Sequence, residues 1–90
     1  MYLFSINAVS ARDQGDFKAG EECPFIVYIN FIDLFGAEQL ATVYLMKEGF
    51  REIKITKRRL IKLESGEQHP DPQIAEAQRK GYCLQAFSAH

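Results

Sequence analysis

The chain has 90 residues, of which 47% are hydrophobic and 26% are charged, and its formal net charge is −1 at pH 7. This length accommodates one domain and excludes a second, and the near-neutral charge by itself predicts no class of partner. No run approaches the roughly 18 apolar residues that suggest a transmembrane helix, and the first residues lack the basic start of a secretory signal peptide. We therefore expect a single cytoplasmic domain over residues 1–90, without a membrane partner.

The first third of the chain predicts two strands of different character. Residues 2–9 alternate between an apolar and a mixed face, which is typical of a half-buried strand. Residues 10–23 are polar and contain two glycines, and we interpret them as a long and mobile loop. Residues 24–32 are apolar on both faces, which predicts a central strand that is covered on both sides.

A helix with surplus apolar surface is predicted next. Asp33 can accept hydrogen bonds from the first-turn amides, and Gly49 is suited to a left-handed helix end. A stripe at i, i+3 and i+4 spacing would pack on the sheet: Ala37, Leu40, Ala41, Tyr44 and Leu45. Four further apolar residues lie largely off this stripe: Phe35, Val43, Met46 and Phe50. Two interpretations stay open, because either a loop covers these four residues or they form a subunit or partner interface.

Residues 51–62 form the most charged stretch, with six basic residues against one acidic residue. Ile53 and Ile55 point to one face of a predicted strand, but the alternation then slips. A β-bulge near Lys57–Arg59 would restore the apolar side, although the strand could also end there or bend into a hairpin. The stretch could bind an anionic partner or could be a solvated, edge-protecting strand face. Its candidate contact residues are Lys54, Lys57, Arg58, Arg59 and Lys62.

The last third predicts a short helix and a final strand. Asp71 and Pro72 form a strong helix start, Gly81 would end the helix, and residues 82–87 alternate as a strand. The predicted order is ββαβαβ. Because each βαβ unit has enough chain for a crossover, we expect the second, third and fourth strands to be parallel where adjacent.

These elements predict an α+β fold, a two-layer sandwich with a four-stranded mixed sheet. We place both helices on one face, since right-handed crossovers in one direction would do so, and a dimer would then cover the bare face. The arrangement broadly resembles a ferredoxin-like layout. The resemblance lies in the layout alone and implies no function.

Catalytic and metal-binding motifs are not recognisable. His69 and His90 stand in no motif with a serine or cysteine, and with Cys23 and Cys83 they match no zinc-ligand spacing. We expect the two cysteines to be reduced and structural, with a bridge between them as the open alternative. No glycine-rich phosphate cradle is present, and the acidic pairs Glu21–Glu22 and Glu64–Glu67 read as solvated. We therefore predict no catalytic, cofactor-binding or metal-binding residues and no cofactor.

Three functional hypotheses follow. The first is a small non-catalytic protein-binding or regulatory module that forms a homodimer and is similar in size and character to bacterial immunity proteins or antitoxins. Its contacts would be the apolar helix residues for a second copy and the basic stretch for an acidic protein. The second is a nucleic-acid-binding protein that uses the basic strand, which however lacks the aromatic platforms of single-strand binders. The third is an enzyme whose site is assembled across a dimer.

Overall fold

A computed structural model of the chain describes residues 1–63 and 70–87. Within these residues the elements follow the predicted order, and the strands form one sheet in the order β3-β1-β2-β4. The α+β class is confirmed. The elements are β1 (Tyr2–Ser10), β2 (Glu22–Ile29), α1 (Leu34–Lys47), β3 (Phe50–Leu60), α2 (Pro72–Lys80) and β4 (Tyr82–Ala86).

All three neighbouring strand pairs are antiparallel, so the prediction of a mixed sheet with parallel neighbours is wrong. The reason is the position of β1. It lies between β2 and β3, so the two strands that flank α1 run in the same direction without touching. β4 then pairs with the outer side of β2 in the opposite direction. The strand order and directions therefore differ from those of a parallel βαβ sheet, although the six elements are the ones that the sequence predicts.

The two helices lie on opposite faces of the sheet, so the prediction that they share one face is also wrong. On the α1 face, Val27 and Ile29 pack in one core with Ala41 and Leu45. On the α2 face, Tyr28 packs in a second core with Ile74, Ala77 and Cys83. Because successive strand residues alternate between faces, β2 is apolar on both sides and each side meets a different helix. A dimer is not needed to explain the two-sided pattern of β2.

The helix ends form where the sequence predicts them. The Asp33 carboxylate accepts a hydrogen bond of 2.7 Å from the Gly36 amide, and the Asp71 carboxylate accepts one of 2.9 Å from the Gln73 amide. Gly81 closes α2 at a φ of 96°, a left-handed conformation that a side chain would disfavour. In the described ranges no helix is long and apolar enough to cross a membrane, since α1 has 14 residues.

β3 contains two irregularities in its pairing with β1. Thr56 is skipped between the pairs Ser5–Lys57 and Ile6–Ile55, and its hydroxyl donates to the Ser5 carbonyl at 3.0 Å. This bulge lies just before the predicted Lys57–Arg59 region, and the strand continues through it without a hairpin. As a consequence Leu60, which pairs with Tyr2, returns to the face of Ile55, as the apolar pattern required.

Two hydrogen bonds and a ring contact hold the loop between β1 and β2 against the rest of the fold. The Gln14 side-chain amide donates to the Ser10 hydroxyl and to the Gly49 carbonyl, each at 3.0 Å. The Phe17 ring packs edge-on against Phe50 with 6.2 Å between centroids. This loop therefore closes the end of the core beneath the start of β3.

Candidate interaction surfaces

The described residues form no candidate metal-binding cluster. No group of three or more His, Cys, Asp or Glu side chains among residues 1–63 and 70–87 could hold a metal ion. The predictions about His69, His90, Glu64 and Glu67 fall on residues outside those ranges. The cysteines are free and lie in the two different cores, Cys23 under α1 and Cys83 under α2. The sheet between them prevents the bridge that the sequence left open.

Both thiols are shielded from water, which makes them poor nucleophiles. Burial raises the pKa of Cys23 to about 11. For Cys83, burial together with the neighbouring Glu76 carboxylate raises the pKa to about 12. Because the thiolate is the reactive form, neither cysteine suits nucleophilic catalysis near neutral pH.

Exposed apolar side chains concentrate on α1 and on the connector that precedes it. Phe35, Val43 and Met46 are 69%, 49% and 59% exposed. We call these three residues the α1 surface. Of the eight large hydrophobic residues that are exposed in the described part of the chain, six lie on α1 or in residues 30–33: Phe31, Ile32, Leu34, Phe35, Val43 and Met46. Single exposed hydrophobic residues are ordinary, but this grouping marks a candidate contact.

The geometry of α1 explains why the α1 surface faces outward. Ala37, Ala41 and Leu45 are fully buried and repeat every four residues, so they form the stripe that packs on the sheet. At 100° per residue, Phe35, Val43 and Met46 fall on the opposite side of the helix. Gln39 lies between them on this side and Lys47 follows Met46 in the last turn, so the centre of the outward face is apolar or neutral and its C-terminal end carries one positive charge.

Phe50, the fourth apolar residue of the predicted contact, lies elsewhere. It is 8% exposed and packs edge-on against Phe25 with 4.8 Å between ring centroids. Phe17 of the β1–β2 loop also packs edge-on against it. The interpretation that a loop covers the surplus apolar residues therefore applies to Phe50. Within the described ranges it does not apply to the α1 surface.

The basic residues of β3 divide between the two faces of the sheet. Lys54, Lys57 and Arg59 pair with β1 residues of the α2 face, and we call them the β3 basic surface. Arg58 pairs with Phe4 on the α1 face, where its guanidinium donates to the Glu38 carboxylate. Lys62 follows the strand and is exposed. The structure thus brings three of the five predicted contact residues together, places Arg58 on the other face and leaves Lys62 beyond the strand.

The β3 basic surface is open because α2 packs on β4 and β2 rather than on β1 and β3. No described carboxylate lies within 4.0 Å of its three cationic groups. The β1 side chains beside it are Leu3, Ser5 and Asn7, without an aromatic ring. The surface can therefore attract anionic groups but offers no stacking platform for bases.

The outer edge of β4 is a feature that the sequence reasoning missed. A groove of about 360 Å³ opens beside it, lined by Phe25, Phe50, Tyr82, Leu84 and Ala86, with Glu48 and Glu76 at its margin. The available signal was that residues 82–87 contain no charge and no proline, which is unusual for an edge strand. The absence of charge and proline is informative only when β4 is known to be an edge strand.

No family model matches the chain, and no match was found among curated proteins or solved structures, so the functional argument rests on these three surfaces.

Proposed function

We propose that the protein is a small non-catalytic protein-binding module that acts as a homodimer, with the α1 surface as the contact between copies. The observation that carries the proposal is the concentration of exposed apolar side chains on α1 and its connector. Water-exposed apolar area of this kind is stabilised when another surface covers it, at about 25 cal/mol per Å².

A second copy suits this surface because the contact would be self-complementary. In a two-fold dimer the same patch meets itself, so charged residues at its centre would repel. The outward side of α1 carries Gln39 beside its apolar residues, and its exposed charge, Lys47, lies in the last turn, at the end of the surface rather than at its centre. Phe35 and Met46 lie about 16 Å apart along one α1 helix. In an antiparallel pair of α1 helices that is centred between these two residues, Phe35 of each copy would lie close to Met46 of the other.

The expected dimer is weak. Covering Phe35, Val43 and Met46 on both copies completes the burial of side chains that are already partly shielded, so each contributes on the order of 1 kcal/mol. The loss of translational and rotational freedom on association offsets part of this gain of about 6 kcal/mol, which places the dissociation constant at about 1 mM or weaker. A weak dimer can also exchange its second copy for another apolar partner.

Sedimentation equilibrium of the wild-type chain over roughly 0.1 to 3 mM tests the proposal, because a dimer with a dissociation constant of about 1 mM is populated in this range. We expect the mass to rise toward that of a dimer. Val43→Glu and Met46→Glu should each hold the protein at the monomer mass, because an acidic side chain would be buried against its own copy. The matched control is Leu60→Glu, since Leu60 is 58% exposed, close to the 59% of Met46, but lies on β3.

Circular dichroism melting of each variant would show that it remains folded. Self-association that persists in both helix variants would place the dimer contact elsewhere. A wild-type chain that stays monomeric throughout the range would contradict the homodimer.

Nucleic-acid binding is a second candidate function, supported by the β3 basic surface. Lys54, Lys57 and Arg59 project from one strand toward the same open side and have no described carboxylate partner. Such a surface would contact phosphates without reading sequence, because no side chain beside it can stack on a base. An acidic protein could use the same three cations.

A further inference from the structure

The hydrogen-bond pattern of β4 shows which of its backbone groups face solvent. The Asn30 amide donates to the Gly81 carbonyl, and the Phe87 amide donates to the Pro24 carbonyl, each at 2.9 Å. In an antiparallel ladder the residues that exchange bonds with the neighbouring strand alternate with residues that point away from it. The odd-numbered residues of β4 therefore bond to β2. Tyr82, Leu84 and Ala86 direct their amides and carbonyls to the outer edge.

The same three residues border an apolar groove. They pair with Ile29, Val27 and Phe25, so their side chains lie on the α1 face of the sheet. α1 packs mainly on β3 and β2 and reaches β4 where Tyr44 stacks on Tyr82 with 4.0 Å between ring centroids, so the groove of about 360 Å³ lies beside this contact and is lined by Leu84 and Ala86. The outward hydrogen-bonding groups and the apolar groove thus adjoin along β4.

The α2 side of the same edge has a different character. A second depression of about 260 Å³ is lined by polar and apolar side chains together: Pro72, Gln73, Glu76, Cys83, Leu84 and Gln85. Glu76 borders both depressions, which places its side chain beside the edge. Side chains of an added strand would alternate between a mainly apolar groove on one side and a mixed depression with the Glu76 carboxylate on the other.

The two edges of the sheet differ in protection. β3 carries six charged residues among its eleven and contains bulges, which are features that prevent strand addition. β4 has five residues without a charge, a proline or a register shift. Its ladder with β2 is regular, so a further strand would find hydrogen-bonding groups at the ordinary spacing.

We propose that the β4 edge binds an extended basic peptide segment by strand addition, with apolar side chains toward the groove and basic side chains toward Glu76 on the α2 side, while Glu48 at the groove margin adds to the attraction of a basic peptide. The acidic margin favours a basic peptide over a second copy of β4. A β4–β4 pair would bring Glu48 and Glu76 of one copy toward the same carboxylates of the other. Lys80 lies 3.5 Å from Glu76 and offsets part of its charge, so Glu48, which has no described ion-pair partner, is the stronger attractor.

A fluorescein-labelled peptide of about eight residues that alternates leucine with lysine and threonine is the probe, since this pattern matches the period of two along a strand. The matched control peptide has the same sequence with alternate backbone amides methylated, which removes the hydrogen-bond donors toward β4. We expect anisotropy to report binding of the first peptide with a dissociation constant on the order of 100 μM and no binding of the second.

Variants of the chain localise the contact. Ala86→Pro removes an outward amide without removing a bond to β2, and it should weaken binding about tenfold or more. Ala86→Val keeps the amide and should bind like the wild type. Glu48→Gln should weaken binding severalfold at low salt. Val43→Glu, which removes the proposed dimer contact on α1, should leave peptide binding unchanged.

Amide hydrogen exchange gives an independent readout. Addition of the peptide should slow exchange at Tyr82, Leu84 and Ala86 and leave β3 unchanged. Equal binding of the methylated peptide, equal binding by Ala86→Pro, protection on β3 or no binding near 1 mM would each overturn the proposal. Protection of these three amides that grows with protein concentration and without peptide would replace it with a second copy as the occupant.

Discussion

At the scale of single residues, burial controls the chemistry of the two cysteines. Cys23 is 0% exposed in the core under α1, and Cys83 is 5% exposed in the core under α2. Both side chains face away from solvent because each occupies an inward position of its strand. Burial disfavours the thiolate and raises the pKa of both thiols. The cysteines therefore act as small apolar residues in this fold.

We predict slow reaction of both thiols with a disulfide reagent such as Ellman's reagent at pH 8. A pKa of about 11 or about 12 leaves a thiolate fraction of roughly 10⁻³ or 10⁻⁴, against about 10⁻¹ for a pKa of 9.0. The folded chain should react at least about 100-fold more slowly than the chain in guanidinium chloride. Its rate should rise about tenfold per pH unit below pH 11. Fast reaction of either thiol in the folded chain would show that its core opens readily.

At the scale of elements, the edge strand β3 contains one residue with an unfavourable backbone conformation. Glu52 adopts a φ of 51°, and it is the non-glycine residue with positive φ in the described chain. It stands where two β3 residues, Glu52 and Ile53, oppose Ala8 between the pairs Asn7–Lys54 and Val9–Arg51. A residue in this conformation is usually glycine, because a side chain crowds the following carbonyl. The exposed carboxylate of Glu52 forms an ion pair with Arg51 at 3.1 Å, and no other ion pair of Glu52 is present among the described residues.

Glu52→Gly should therefore stabilise the fold relative to Glu52→Ala. The alanine variant keeps the strained conformation and removes the carboxylate, so it isolates the backbone effect. We expect the glycine variant to exceed the alanine variant by a few tenths to about 1 kcal/mol in unfolding free energy, because relief of strain outweighs the entropy of glycine in the unfolded chain. Urea denaturation of both variants measures the difference. An alanine variant as stable as the glycine variant would mean that the bulge is unstrained.

At the scale of the whole molecule, charge and apolar area occupy separate surfaces. The basic residues of β3 lie at one edge, the α1 surface lies on one face, and the uncharged β4 edge lies on the far side of the sheet. The chain still has a net charge of −1, because acidic residues elsewhere offset the basic strand. Long-range attraction of a polyanion is therefore weak, and any such binding would depend on the local surface.

We predict that a labelled random single strand and a duplex bind weakly at about 50 mM salt and not measurably at about 200 mM. Three phosphate contacts give an affinity loss of about tenfold or more over this range. Fluorescence anisotropy at both salt concentrations measures it, with Arg59→Glu as the test variant. Arg58→Glu is the matched control, because Arg58 lies on the other face and contacts Glu38. Tight binding at about 200 mM that only Arg59→Glu abolishes would establish nucleic acid as the partner.

Local sequence patterns by themselves determined the elements. The period-two and helical patterns predict all six elements in order, and the capping roles of Asp33, Asp71, Gly49 and Gly81 follow from interactions within a few residues. The bulge in β3 was indicated by a slip in alternation, which is explained by Thr56 being skipped in the pairing with β1. These features are local, so neighbouring residues contain the information that specifies them.

Only the tertiary structure decided how the elements are arranged. The insertion of β1 between β2 and β3 makes the sheet antiparallel, and it depends on long-range pairing that chain order does not specify. The placement of the helices on opposite faces explains why β2 is apolar on both sides. It also leaves the β3 basic surface open, because α2 packs on β4 and β2. The β4 edge emerged in the same way, since whether a strand has one neighbour or two is a property of the sheet and of no segment alone.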